Sequence, residues 1–399
     1  MRGGVVAMND VSKSGISRRR LFGLGAGIMS SVMLAGCTYR GGSAEEGPAV
    51  RRKPTFAATA ENVRLIGRTF EKDGTTWLSQ SGSAVEFKVT GQNLSFELVG
   101  EYDASNGSGN RLRYAVLVDG KVVVDEILGE GSHTVDIPTN GPLSDAVVEV
   151  IHLTEAQWGA VGVHSIMVES DEAVPVAPTA GRAMSIGFVG DSITCGYAVE
   201  SKSYTEPFTT ATQNFMKTYA YLAARELDAD YDTACYSGYG VVSGWSAGGE
   251  PNYQMLLPPI YDLVAKGHEQ KWDFAAHPRD VVVINLGTND SSYTGSIESR
   301  MEEFAQGYAE FLARVREHNP DSLIVCTLGT MWGSEVLYPS LEKAVRDHVQ
   351  RTGDTRVVCY LSDPIDEADG VGTNGHPNEV SQRKSAKQLV GVIREAMGS

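Results

Sequence analysis

The chain is poor in cysteine, with five in 399 residues. That excludes a small disulfide-built scaffold, which carries cysteine far more densely. Basic residues are also scarce. Lys and Arg number 34 against 50 Asp and Glu, a net charge of −16. Charge-driven contact with nucleic acid or anionic lipid needs clustered cations, so no nucleic-acid partner is expected. After residue 40 no apolar run reaches the roughly 20 residues of a membrane-spanning helix. Repeats and low-complexity segments are missing from the body of the chain. What remains is 42% hydrophobic and 21% charged residues, an ordinary globular composition. The length allows two or three domains.

The first 36 residues read as an address. Ser17-Arg18-Arg19-Arg20-Leu21-Phe22 sets paired arginines before an apolar, Gly-rich stretch. A charged segment followed by a short apolar one is the layout of an export signal. The arginine pair resembles a twin-arginine signal, and Leu34-Ala35-Gly36-Cys37 resembles a bacterial lipobox. The resemblance implies cleavage before Cys37 and a lipid on its sulfur, at the outer face of the cytoplasmic membrane. Residues 1–36 hold five of the 34 basic and one of the 50 acidic residues. Without them 29 basic and 49 acidic residues remain, a net charge of −20. Residues 37–55 are rich in Gly, Ala, Pro and charge, as a tether would be.

From 56 to 170 the pattern has period two. Val85–Val89, Leu94–Leu98 and Tyr114–Val118 each alternate, and Asp119-Gly120 leads the last run into Lys121–Val124. Alternating runs joined by Asp-Gly predict a hairpin. Further runs at Thr134–Ile137, Ala146–Leu153 and Val163–Val168 predict a β-sandwich of jelly-roll type. Residues 171–181 read as a Pro-containing linker. From 182 to 399 the pattern changes. Apolar runs at Ser185–Val189, Tyr231–Tyr236, Val281–Leu286, Leu323–Leu328 and Val357–Leu361 read as buried strands. Helical stretches are expected at Phe215–Leu227, Tyr253–Val264, Ile297–His318, Leu337–Arg351 and Ser381–Met397. This alternation predicts a three-layer α/β/α domain with a five-stranded parallel sheet. Cys326 and Cys359, each within such a strand, are expected to be buried free thiols.

In open α/β sheets the reactive groups gather at the carboxyl ends of strands. Three polar blocks follow strands, Gly190-Asp191-Ser192, Ser237-Gly238-Tyr239-Gly240 and Gly287-Thr288-Asn289-Asp290, and a fourth, Gly375-His376, precedes the last helix. Acyl transfer needs a hydroxyl, an imidazole to take its proton, and donors aimed at the developing oxyanion. Ser192, His376, the Gly238 N–H and the Asn289 amide can supply these.

In that order the four blocks resemble the SGNH hydrolases, also called the GDSL esterase/lipase superfamily. The resemblance covers residues 182–399. It implies Ser192 as nucleophile, His376 as general base and acid, and an oxyanion hole from Ser192, Gly238 and Asn289. It implies no cofactor. One position departs: the superfamily usually has Asp three residues before the His, and here that residue is Thr373. The imidazole could be oriented instead by a backbone carbonyl, by the Thr373 hydroxyl, or by Asp366 or Asp369. A jelly roll ahead of a GDSL domain, with Gly190–Tyr197 and His152-Leu153-Thr154-Glu155-Ala156, is similar to the family-two carbohydrate esterases. That implies removal of acetyl groups from xylan or from gluco- and manno-oligosaccharides, through an acetyl-enzyme.

The expected partner is therefore an acetylated carbohydrate, with the membrane reached only through lipid at Cys37 and the protein monomeric. Trp332, Tyr197 and Trp245 follow the motifs and could stack on sugar, although large apolar residues often simply pack. Two other readings stay open: a lipase or thioesterase using the same residues, and a surface lipoprotein that binds glycan without cutting it. The eight histidines include no pair at the i, i+4 spacing of a helical zinc site, which disfavours a metal-dependent deacetylase.

Overall fold

The computed structural model describes residues 53–102 and 109–398. The export signal, Cys37 and nearly all of the tether lie outside the described residues. Among the described residues no helix is long and apolar enough to cross a membrane.

The first domain is built on one strand, Ala84–Tyr102, of 19 residues. Its first half pairs with Leu143–His152, Arg64–Ile66 and Val176–Pro178. Its second half pairs with Gly159–Glu169 and Gly131–Asp136. The sequence runs Val85–Val89 and Leu94–Leu98 are thus two halves of one strand, one in each sheet. The bend between them has a local cause. Gly91 has φ +152° and Asn93 φ +53°. A Cβ on Gly91 would sit 2.4 Å from the Glu169 carbonyl, so only glycine fits. Val85, Phe87 and Val89 turn into the sandwich core with Phe96, whose ring meets Phe87 edge-on at 6.0 Å. The hairpin at Asp119-Gly120 forms as expected, pairing Arg113–Val118 with Lys121–Ile127. Residues 171–181 do not run free, because Val176–Pro178 adds a strand beside Val89. The strands Arg64–Ile66, Thr69–Lys72 and Thr75–Leu78 have three or four residues each, too short to show a period.

The second domain has five parallel strands in the spatial order Ala229–Cys235, Met184–Gly190, Val281–Asn285, Leu323–Leu328, Val357–Leu361. The chain reverses direction across the sheet on either side of Met184–Gly190, so a crevice opens at that strand's carboxyl end. Tyr219–Glu226 and Glu379–Met397 cover one face, Glu298–His318 and Ser334–Thr352 the other. Glu298–His318 buries Phe304, Ala305, Tyr308, Phe311, Leu312 and Val315, one stripe at helical spacing.

One expected helix is absent. Tyr253–Val264 contains only the three-residue 3₁₀ turn Pro258–Ile260. Consecutive prolines remove two N–H donors and disfavour helix in the residue before them. The backbone before them pairs instead with the second polar block: Gly240 N–H donates to the Met255 carbonyl at 3.0 Å, and Leu257 N–H to the Gly240 carbonyl at 2.9 Å. Of the cysteines, Cys195, Cys235 and Cys326 are buried free thiols, while Cys359 is half-buried.

The two domains share a core. Ile66, Ala84, Ala115, Leu117, Ile151 and Leu153 of the sandwich pack in one cluster with Phe215, Tyr219, Tyr221 and Tyr231. The edge strand Ala229–Cys235 would otherwise invite pairing with a stranger. The sandwich loop at residues 79–83 covers it: Tyr231 and Thr233 hydroxyls donate to the carbonyls of Gly82 (2.9 Å) and Ser81 (2.6 Å). Arg68, 2% exposed, crosses the same boundary. It donates to the Tyr261 (2.5 Å) and Leu263 (2.7 Å) carbonyls, contacts Asp232 at 3.4 Å, and lies over the Tyr261, Trp272 and Phe274 rings.

Candidate active site

Strand Met184–Gly190 ends by turning at once into the short helix Ser192–Cys195. Asp191 caps that helix, its side chain accepting from Ile193 N–H at 3.0 Å. The turn is tight enough that a Cβ on Gly190 would lie 2.0 Å from Thr194 Oγ1. Ser192 therefore stands at the first position of the helix, where its N–H has no acceptor within the helix. Its Oγ lies 2.8 Å from His376 Nε2. His376 comes from the loop before helix Glu379–Met397, held by an αL residue, Asn374, at φ +57°.

The other imidazole nitrogen meets a carbonyl. His376 Nδ1 lies 3.0 Å from the Thr373 oxygen. A carbonyl can only accept, so Nδ1 carries the proton and Nε2 is free to accept from Ser192 O–H. The remaining candidate orienters are engaged elsewhere. The Thr373 hydroxyl donates to Ser201 Oγ at 2.8 Å. Asp366 caps Ala368 N–H at 2.9 Å, and Asp369 pairs with Lys384 at 2.5 Å. With no carboxylate against the ring, burial dominates and lowers the His376 pKa to about 4, the Thr373 hydrogen bond acting in the opposite sense.

Gly238 sits beside this pair at φ +84°, a backbone state that disfavours side chains. A Cβ there would also meet Met255 Cε at 2.5 Å. The Gly238 and Ser192 N–H groups have no acceptor among the described residues. Asn289 Nδ2 donates to the Tyr239 carbonyl at 2.8 Å, and its second hydrogen has only Asp191 Oδ2 at 3.5 Å. Three donors and a hydroxyl–imidazole pair are thus gathered at the carboxyl end of the sheet. Such a set can attack an acyl carbon and hold the oxyanion that forms.

Two buried carboxylates fix the loops beneath. Asp290 accepts from the N–H groups of Val241 (3.0 Å), Val242 (2.8 Å) and Ser243 (3.0 Å). Burial raises its pKa to about 6 despite those bonds. Burial, with the Asp290 charge adding to it, raises Asp191 to about 7.

Of the aromatic candidates, Tyr197 stands against His376 with ring centroids 4.4 Å apart, and stacks flat on Phe208 at 3.9 Å. Trp158 of the sandwich continues that stack at 5.8 Å. Trp245 is 58% exposed and Trp332 52%, and neither is packed away. Their backbone or indole N–H groups are held by the Gly238 (2.8 Å) and Ile365 (3.1 Å) carbonyls. Sequence reasoning gave no role to Glu155 of the sandwich, which accepts from Ser237 N–H at 2.7 Å and Ser237 Oγ at 2.8 Å. The two residues are 82 positions apart, and no local pattern could pair them. No group of three or more His, Cys, Asp or Glu among the described residues could hold a metal ion.

Residues 188–384 match the GDSL-like lipase/acylhydrolase family, and residues 65–178 match the carbohydrate esterase 2 N-terminal family. The chain is 29% identical over 322 residues to the cellulase/esterase CelE of Acetivibrio thermocellus, an alignment covering 80% of this chain and 37% of that protein. It thus spans well under half the length of that relative. It is 24% identical over 349 residues to an acetylxylan esterase / glucomannan deacetylase of Cellvibrio japonicus, covering 86% of this chain and 91% of that protein. The structure of a family two carbohydrate esterase from Clostridium thermocellum in complex with cellohexaose superposes with a TM-score of 0.74 at 27% identity, over 84% of this chain and 99% of that one. The chain thus joins a domain of the GDSL-like lipase/acylhydrolase family to one of the carbohydrate esterase 2 N-terminal family, and over most of its length it is similar to family two carbohydrate esterases.

Proposed function

We propose that this chain is a serine esterase that removes O-acetyl groups from carbohydrate, with acetylated xylan or glucomannan as the substrate class. The observation that carries the reading is the 2.8 Å contact between Ser192 Oγ and an imidazole whose far nitrogen is fixed by the Thr373 carbonyl. His376 Nε2 takes the Ser192 proton as Oγ attacks the acetyl carbon. The Ser192 and Gly238 N–H groups and the Asn289 amide then face the oxyanion. As the tetrahedral adduct collapses, His376 returns the proton to the departing sugar oxygen, leaving acetyl on Ser192. Water, deprotonated by His376, attacks that ester in turn and releases acetate. The pairing works as a dyad, since a carbonyl fixes the tautomer without supplying charge. The exposed Trp245 and Trp332 and the Tyr197–Phe208 stack suit sugar rings, and the complex of a similar family two esterase with cellohexaose supports a glycan ligand.

The test is acetate release from acetylated xylan, glucomannan and an aryl acetate. Ser192→Ala should abolish all three; turnover equal to the unaltered enzyme would refute the assignment.

The N-terminal motifs support a further part of the reading: export by the twin-arginine route and anchoring by lipid at Cys37. The unaltered protein should then partition into detergent, and Cys37→Ser into the aqueous phase. Aqueous partitioning of both would remove the lipid from the reading.

A further inference from the structure

Glu155 is fully buried, and among the described residues no lysine, arginine or histidine forms an ion pair with it. Taking a carboxylate out of water without a counter-ion is costly and persists only where donors satisfy it. Here there are three: Ser237 N–H at 2.7 Å, Ser237 O–H at 2.8 Å and Gln213 Nε2 at 3.1 Å. Two come from the residue immediately before Gly238. The peptide plane that carries the Gly238 N–H begins at the Ser237 carbonyl, so clamping Ser237 at both its N–H and its side chain sets the direction of that donor.

The third partner reaches the other side of the pocket. Gln213 Nε2 also lies 3.4 Å from the carbonyl of Cys195, the last residue of the helix that Ser192 begins. Gln213 Oε1 is itself held by the indole N–H of Trp158 at 3.1 Å. One carboxylate therefore connects the loop bearing Gly238 with the helix bearing Ser192. It comes from the sandwich, not from the hydrolase domain.

We infer that Glu155 is a positioning residue for the oxyanion pocket, and that the sandwich is a working part of the active site because it supplies it. The inference rests on the esterase reading above. Glu155→Gln keeps the shape but turns an acceptor into an amide donor facing the Ser237 hydroxyl and the Gln213 amide. Removing an oxyanion donor outright costs about 10²–10³ in kcat, so misaiming one should cost about 10- to 100-fold. KM for an aryl acetate should change less than about threefold. Ser237→Ala removes one of the three bonds and leaves the carboxylate in place. It should lower kcat about three- to tenfold with the thermal midpoint unchanged. In the double variant the two losses should be less than multiplicative, because both act through one clamp.

An unchanged kcat in both single variants overturns the inference. So does a Glu155→Gln loss that merely tracks unfolding while Ser237→Ala retains full kcat. Ser192→Ala assayed alongside separates the two levels. If it still hydrolyses the ester, the esterase reading has failed; if it is inactive while Glu155→Gln and Ser237→Ala are not impaired, only the role of Glu155 has.

Discussion

Lowering the pH should leave hydrolysis intact well below the point at which an ordinary histidine titrates. His376 is the group whose protonation would silence the site, because its Nε2, 2.8 Å from Ser192 Oγ, is the acceptor of the Ser192 proton. Burial without a carboxylate partner lowers its pKa to about 4. The gap from the ordinary 6.5 corresponds to about 3 kcal/mol against the imidazolium. At pH 5 a histidine of ordinary pKa would be about 3% neutral, whereas one near 4 would be about 90% neutral. Between pH 7 and pH 5 the first case costs about 25-fold in kcat/KM and the second less than twofold. The assay is acetate release under kcat/KM conditions at constant ionic strength, each sample re-assayed at pH 7 to separate titration from acid inactivation. An acid limb centred near pH 6.5 would refute the argument. It would mean that water or an anion reaches the ring and offsets its burial.

Other perturbations address neighbouring groups. Gly238→Ala adds a side chain at φ +84° and 2.5 Å from Met255 Cε, and should lower kcat at least tenfold with KM nearly unchanged; an unchanged kcat would remove the Gly238 N–H from the oxyanion pocket. Arg68→Ala leaves two buried carbonyls unpaired and Asp232 with Arg279 at 2.6 Å as its remaining partner, and should cost about 2–5 kcal/mol in urea unfolding; a loss below about 1 kcal/mol would show that water takes up both carbonyls. Asp191, raised from 3.8 to about 7, contributes stability that is complete below its unfolded pKa and is lost as pH climbs through about 7. The stability advantage of Asp191→Asn over the unaltered chain should therefore grow between pH 4 and pH 8, by at most about 4 kcal/mol. A difference independent of pH in calorimetry would show that Asp191 titrates as an ordinary carboxyl.

Much of this molecule was legible in the sequence. The three inner strands of the parallel sheet were readable because they are buried on both faces and so are nearly all apolar, while the edge strands Ala229–Cys235 and Val357–Leu361 are more mixed or only half-buried. Three of the polar blocks stood out because each interrupts such a run at its carboxyl end, and the fourth because it stands just before the last helix. Less was legible where the signal is not local. Val85–Val89 and Leu94–Leu98 looked like two strands because Gly91 bends one strand between two sheets. Tyr253–Val264 has a helical apolar spacing that Pro258 and Pro259 override. The partner of His376 Nδ1 could be narrowed only to alternatives, since a backbone carbonyl leaves no mark on residue identity. Glu155 and Gln213 act on loops far away in sequence, and only the folded chain brings them there.

The long strand Ala84–Tyr102 governs the order in which the chain can mature. Its last partners, Gly159–Glu169 in one sheet and Val176–Pro178 in the other, are made long after it, so the sheets are complete only once the ribosome has passed residues 169 and 178. Closing such wide loops is entropically expensive and makes folding slow. Even then Arg68 waits for the carbonyls of Tyr261 and Leu263, and Gln80 for the Tyr236 hydroxyl at 2.8 Å. Refolding followed by tryptophan fluorescence and by recovery of esterase activity should show both signals rising in one slow phase. For the newborn chain, the sandwich remains partly unsealed until the hydrolase domain has been made.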